Sequence, residues 1–578
     1  MSPPCRVLVW VSAWGLMSMA GETLYNGIVL PEAWPPKVVT LTRTPLAPPP
    51  YLAAPPAVIP IDVGRQLFVD DFLIEQTTLR RSCHPAEYHP ASPVLLPEKP
   101  WEGLREGSRR CGAGVFSDGV WYDPADQLFK AWYWGGALDR DVLGYSTCLA
   151  TSRDGIRWEK PDFGVVPGTN IVLADEADRR RNSSVVWMDL DDPDPGRRFK
   201  MFRVATHEET VEKAVSMRHG IRVSFSPDGI HWTFAADTDP TGDRSTVFYN
   251  AFRKVWVYGI RTGSKEVSRC RDYIETAHVL EGIHWSADQA TRRSGLWVGA
   301  DELDPSREDL ALRRVPERPW DLVPSQLYNL DCIAYESVML GLFSIWRGHP
   351  ADGRPKINEV CAGFSRDGFH WSRPDRKPLC PVSEDKQAWN WGNVQSAGGC
   401  CLIVGDKLYL YVTGANRKFP GSGLDATYTG LATLRRDGFA SMDADATPGT
   451  LTTRPLRFSG RRLFVNLDAP RGTLRVEVLN PAGQPIAPFT ADACLPTAVD
   501  STAQAVAWKD GTDLGALAGQ PVRLRFHLTQ GRLYAFWVSP DESGASLGFV
   551  AAGGPGFSAS RDTVGPAASR TAAAAALK

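Results

Sequence analysis

Short apolar runs separated by polar turns recur along the chain, and they come in pairs. Residues 119–123 precede 128–134, 184–189 precede 198–203, and 245–250 precede 254–259. Further on, 332–336 precede 338–343 and 400–404 precede 407–412. Each pair reads as strand, polar turn, strand. A phrase then repeats downstream of the pairs: Ser152-Arg-Asp154-Gly155-Ile-Arg-Trp158, Ser226-Pro-Asp228-Gly229-Ile-His-Trp232 and Ser365-Arg-Asp367-Gly368-Phe-His-Trp371. Weaker copies stand at Glu281-Gly282-Ile-His-Trp285 and at Asp437-Gly438-Phe439. Asp-Gly between apolar runs is a hairpin signal, because Gly supplies the positive φ of the turn. The Trp buries a large apolar surface against a neighbouring unit. The copies lie roughly fifty to ninety residues apart, at or above the usual upper end for repeat folds. About four strands per unit make a propeller blade, so five units predict five blades.

Beyond the fifth unit the runs become alternating, as in Leu474-Arg-Val-Glu-Val-Leu479 and Leu533-Tyr-Ala-Phe-Trp-Val538, with turn residues between them. That pattern predicts a β-sandwich. The expected fold class is therefore all-β, a five-bladed β-propeller followed by a C-terminal β-sandwich. The expected boundaries are an export signal over 1–20, a Pro-rich linker over 21–60, the propeller over 61–448, the sandwich over 449–541 and a disordered tail over 542–578. Arg6, the apolar stretch 7–17 and the small residues around Ala20 carry the export reading. It places the protein in the periplasm or outside the cell. Residues 67–74 are assigned the strand that completes the last blade.

Composition narrows the partners. A formal net charge of −2 over 578 residues gives no reason to expect nucleic acid or an anionic membrane surface. No apolar run is long enough to span a bilayer. Twenty Trp residues suit a propeller or a sugar-binding protein. The eleven Cys show no paired metal spacing and no disulfide framework. His84 and His89 sit among prolines and are read as rim residues, so neither metal nor other cofactor is expected. The chain has no zinc-protease helix motif, phosphate loop, dinucleotide fingerprint or nucleophile elbow.

In a propeller the first strand of each blade lines the channel, and its leading residues face the open end. Those residues are Ser117-Asp118, Arg181-Asn182-Ser183, Asp243-Arg244-Ser245, Asn329-Leu-Asp331 and Trp389-Asn390-Trp391-Gly-Asn393-Val-Gln395. Converging carboxylates suit glycoside chemistry, with one carboxyl acting as acid and the other attacking the sugar or activating water. The candidate catalytic residues are Asp118, Asp243 and Asp331, together with Glu275, an acid that departs from the repeat. The candidate sugar-binding residues are Asn182, Arg244, Trp389, Asn390, Trp391, Asn393 and Gln395. Asp154, Asp228, Asp367 and Asp437 are read as turn residues.

A five-bladed propeller followed by a sandwich resembles glycoside hydrolase family 32, and the propeller alone resembles family 43. Leu67-Phe-Val-Asp-Asp-Phe-Leu-Ile-Glu75, Ser92-Pro-Val-Leu95, Gly119-Val-Trp-Tyr-Asp-Pro124 and Gly363-Phe-Ser-Arg-Asp-Gly-Phe-His-Trp371 are similar to phrases in uncharacterised bacterial proteins related to the family 32 N-terminal domain. The resemblance spans residues 61–540. The Trp-x-Asn-Asp-Pro, Arg-Asp-Pro and Glu-Cys-Pro motifs of family 32 are absent from the corresponding places, so fructoside specificity does not carry over. The resemblance implies a glycoside hydrolase acting on an oligo- or polysaccharide, and the N-terminal segment adds the expectation that it is exported. The alternative is a non-catalytic carbohydrate-binding or scaffold propeller, which the fold alone does not exclude.

Overall fold

The computed structural model describes residues 21–136, 145–176, 179–211, 214–281, 283–285, 295–311, 325–416 and 423–569. The stretch read as an export signal lies outside them. Among the described residues the chain is nearly all β, with a single α-helical turn at Pro50–Ala53 and another opening at 567.

The predicted strand pairs open five consecutive antiparallel units. Unit one runs through Val120–Asp123, Leu128–Gly135, Ser146–Ser152 and Ile171–Leu173. Unit two has Arg180–Met188, Phe199–Val211, Ala214–Ser226 and Thr233–Thr241. Unit three has Thr246–Asn250, Val255–Ser264, Ser268–Thr276 and Gly295–Gly299. Unit four has Gln326–Glu336, Val338–Gly348 and Ile357–Ser365. Unit five has Gly392–Ser396 with Leu402–Val404, then Lys407–Asn416 and Asp425–Arg435. The first strands of units two to five adjoin in order, and the turn Phe116–Asp118 leading into unit one touches the first strands of units two and five. There Asp425–Arg435 pairs in parallel with Arg110–Gly114.

The repeated phrase has a local physical cause. Each copy follows the third strand of its unit. The Ser226 hydroxyl accepts from Gly229 N at 2.9 Å, and Asp228 Oδ1 accepts from Ile230 N at 2.8 Å and His231 N at 2.9 Å. Ser152 with Asp154, and Ser365 with Asp367, repeat this arrangement. The side chains thus satisfy backbone donors that the turn would otherwise leave unpaired. An aromatic donor from the preceding unit then grips the turn. Tyr411 of unit five donates to Gly155 O at 2.6 Å, Trp132 of unit one to Gly229 O at 2.8 Å, and Trp297 of unit three to Phe369 O at 2.8 Å. Tyr335 of unit four donates to Asp437 Oδ1 at 2.6 Å. The turns therefore act as clasps between successive units.

Two further sheets face each other across a second apolar core that includes Phe68, Leu463, Val476, Phe526 and Phe536. One sheet contains Arg462–Asp468, Gly531–Ser539 and Ala440–Ala444, and the other Gly449–Thr453, Thr473–Leu479 and Arg523–Thr529.

Three assignments need correction. Residues 67–74 do not complete the last unit. Gln66–Leu67 pairs with Gly531–Ser539, and Ile74–Thr77 with Gly449–Thr453, so both belong to the second core. The strand added to unit five is Glu87–Tyr88. Residues 21–60 are no free linker. Tyr25 stacks on Phe252 at 4.2 Å and donates to Ser337 O at 2.5 Å, while Arg43 Nη1 donates to Ser325 O at 2.7 Å. Aromatic and guanidinium anchors between the prolines fix the strap. The tail is ordered through residue 569. Phe549–Val550 pairs with the end of Gln326–Glu336, Tyr122 N donates to Ala552 O at 3.0 Å, and Ile403 N donates to Gly553 O at 2.9 Å. Its Gly and Ala residues suit it to lie flat across converging strand ends. This segment floors the ring and, with Trp121, Trp187 and Ile333, lines a small pocket of about 60 Å³.

Candidate functional site

With the floor covered at the strands' trailing ends, the leading ends form the mouth. The backbone is irregular there. Asn182 and Tyr328 are the extra residues of bulges in units two and four, and Asn393 lies within a register shift in unit five. Phe116, Arg244 and Asn393 hold positive φ of 38°, 58° and 56°. Bulges re-aim side chains, and left-handed non-Gly residues persist only where their surroundings over-determine them. Both devices occur at this end of the ring.

Three of the four predicted acids come to this end. Asp331 is 4% exposed. Its Oδ2 accepts from Ser396 Oγ of unit five at 2.5 Å and from Asn329 Nδ2 at 2.8 Å. Asn329 Nδ2 also donates to Ser117 Oγ of unit one at 2.9 Å. Burial pushes the Asp331 carboxyl up to about 6, against the lowering effects of Ser396, Ser117, the Arg271 charge and Asn329. Asp118 is fully buried and ion-paired with Arg181 of unit two. Burial still raises its carboxyl above the ordinary range. Asp243 differs, with its side chain 37% exposed and Arg261 Nε 3.4 Å away. Burial raises this carboxyl too, but Arg261, Arg244 and Lys356 outweigh it and hold Asp243 below the usual range.

Glu275 does not join them. It lies near the trailing end of Ser268–Thr276, on the floor side. There it accepts from Arg253 and, at 2.7 Å, from Tyr273 Oη, while Arg253 also holds Glu22 of the strap at 2.9 Å. An acid at the end of a third strand points away from the mouth, and its role is to anchor the strap.

The predicted binding residues divide. Arg244 stacks its guanidinium on the Phe116 ring at 4.3 Å. Asn393 Oδ1 accepts from Asn358 Nδ2 at 2.7 Å and from Gln395 Nε2 at 2.8 Å, and Asn393 N donates to Lys356 O at 2.7 Å. Asn182 is half-buried in its bulge. Trp389, in contrast, fills the space above Gly414 and Gly430, where added Cβ atoms would meet its ring at 2.5 and 2.0 Å. Asn390 is buried and donates to Pro381 O at 3.5 Å; buried Trp391 lies beneath Arg354 at 5.3 Å. These three pack unit five and are not a sugar platform.

Sequence reasoning missed two cations and the phenol of this mouth. Arg271 is fully buried, donates from Nη2 to Tyr328 O at 2.8 Å, and feels the charges of both Asp243 and Asp331. Lys356 bonds the Tyr328 hydroxyl, and its ammonium lies 3.9 Å from the centre of that ring. Lys356 and Arg244 outweigh burial and lower the Tyr328 phenol below its ordinary value.

No family model and no curated protein matches the chain. Among solved structures it is similar to an N-acetylgalactosamine deacetylase from F. plautii, at 12% identity and a TM-score of 0.38, over 62% of this chain and 96% of that one. It is also similar to a fructofuranosidase from Schwanniomyces occidentalis, at 11% identity and TM-score 0.36, over 77% and 97%. A glycoside hydrolase family 43 arabinoxylan arabinofuranohydrolase from Bacillus subtilis shows 11% identity and TM-score 0.31, over 77% and 99%. At these scores the likeness decides no chemistry, which rests on the chain's own geometry.

Proposed function

We propose that the ring is a five-bladed β-propeller carrying a C-terminal β-sandwich, and that its mouth hydrolyses a glycosidic bond. One observation carries this reading. Asp331 and Asp243 flank the same buried Arg271, yet their environments drive their protonation apart. Two carboxyls separated in this way can divide the acid and base roles of glycoside hydrolysis. Asp331, buried and raised to about 6, donates its proton to the leaving oxygen. Asp243, ionised and accessible, supplies the carboxylate that attacks the sugar or activates water. Asp118 is a positioning residue that acts through Arg181. Export to the periplasm or beyond is part of the same proposal, tested by fractionating cells that express the full chain.

The test screens purified protein on aryl glycosides and polysaccharides. Asp331→Asn and Asp243→Asn are each expected to lower kcat by roughly 10²–10⁴-fold with the fold intact. The kcat/KM profile should fall above about pH 6, as Asp331 loses its proton. Turnover unchanged in both variants would overturn the assignment. Glycan binding without turnover in the wild type would favour a binding module.

A further inference from the structure

Among the described residues the mouth gathers more cations than acids. Arg181 pairs with Asp118, and Arg261 with Asp243. Arg244, Arg271 and Lys356 stand around the same opening, with Asp331 as the third acid and Asp175, which accepts from Arg181 N at 2.7 Å, as the fourth. Arg269 bonds Gln326 and lies 5.5 Å from the Tyr328 ring centre. Asp272 sits next to Arg271 in its strand, where successive side chains point to opposite faces.

Arg271 makes the imbalance specific. Its side chain is fully buried, and among the described residues its Nε and Nη1 have no hydrogen-bond partner. A guanidinium taken out of water without filled donors is strongly unfavourable. Burial and the neighbouring Arg261 lower its affinity for its proton, despite Asp243 and Asp331 nearby. Lys356 is likewise depressed by burial, and Arg244 and Arg269 add to this. Arg forks and an ammonium around an aromatic floor match a planar or tetrahedral oxyanion.

We infer that the mouth binds a glycan bearing its own oxyanion, a uronate carboxylate or a sulfate ester, held by Arg244 and Lys356, with the unfilled charge of buried Arg271 behind them. The sugar part rests on the glycosidase reading; the charged substituent rests on the basic ring alone.

Binding is measured by titration calorimetry in the Asp331→Asn background, so that turnover does not consume the ligand. The probes are an oligogalacturonide, its carboxyl-reduced neutral counterpart, a sulfated oligosaccharide and inorganic phosphate. At least one charged sugar should bind about 10-fold or more tightly than the neutral one, and the preference should shrink with salt. Arg244→Gln and Lys356→Gln should each remove about 10-fold of it, while Arg457→Gln on the exposed surface should not. Equal binding of charged and neutral sugars would overturn the inference, as would a preference that survives both variants. Binding of inorganic phosphate alone through these residues, with no gain for a charged sugar, would also overturn it. A charge preference without wild-type turnover on any glycoside would support the inference and sink the hydrolase reading.

Discussion

Asp331 is where the chemistry proposed for this protein and its stability meet. Its carboxyl stands at about 6 in the fold against an ordinary 3.8. The folded state therefore binds the proton more tightly than the unfolded chain. Its contribution is fully present below the ordinary value and is lost as pH rises through about 6. Asp331→Asn, which carries no charge to desolvate, should thus be more stable than the wild type at pH 7.5, by up to roughly 3 kcal/mol. The gain should vanish at pH 4. Denaturant midpoints at the two pH values check this, and a variant less stable at pH 7.5 would show that the hydrogen bonds from Ser396 and Asn329 need the charge. A residue that destabilises its own fold at neutral pH is what a site tuned for acid catalysis retains.

At the scale of the element, the clasp turn carries the architecture. Gly229 has φ +78°, and an added Cβ would lie 2.5 Å from Trp132 Cζ2. Gly164 has φ +76° with open space around it. Gly229→Ala should cost roughly 2–4 kcal/mol by strain plus overpacking, and Gly164→Ala roughly 1 kcal/mol by strain alone. Equal melting temperatures for the two variants would remove the clasp from the account. These turns were legible because their cause is local: Ser, Asp and Gly satisfy one turn's backbone within a few residues. The first-strand acids were legible for a related reason, since the repeat fixes which end of each strand faces the mouth. The same phase also places the ends of second strands and the starts of third strands there, as with Arg261, Arg271 and Lys356. It places Glu275 at the floor. Pairings set by distant partners left no local mark. Nothing in residues 67–74 distinguishes an edge of unit five from an edge of the second core, and nothing beside Trp389 shows that Gly414 and Gly430 leave room for its ring.

Across the whole molecule, a buried ionic knot joins four parts of the chain. Arg65, from the segment leading into the second core, lies 2.9 Å from Asp437 of unit five and 3.5 Å from Glu336 of unit four. Arg436 lies 3.0 Å from Glu336 and 3.3 Å from Asp562 of the tail. Burial raises the Glu336 carboxyl, while Arg65 and Arg436 outweigh burial and keep Asp437 low. Arg436→Met would leave three buried acids with one guanidinium, at a cost of roughly 3–5 kcal/mol. The expected readout is a lower melting temperature and new proteolytic cleavage beyond residue 540. A tail that stays protected would mean that its backbone pairing suffices. The order of these parts along the chain also constrains biosynthesis. The segment that lays the floor is translated only after every unit of the ring and both facing sheets. A nascent chain that has already emerged with all five units must therefore wait with an open base, its apolar strand ends available to chaperones, until residues 549–562 arrive.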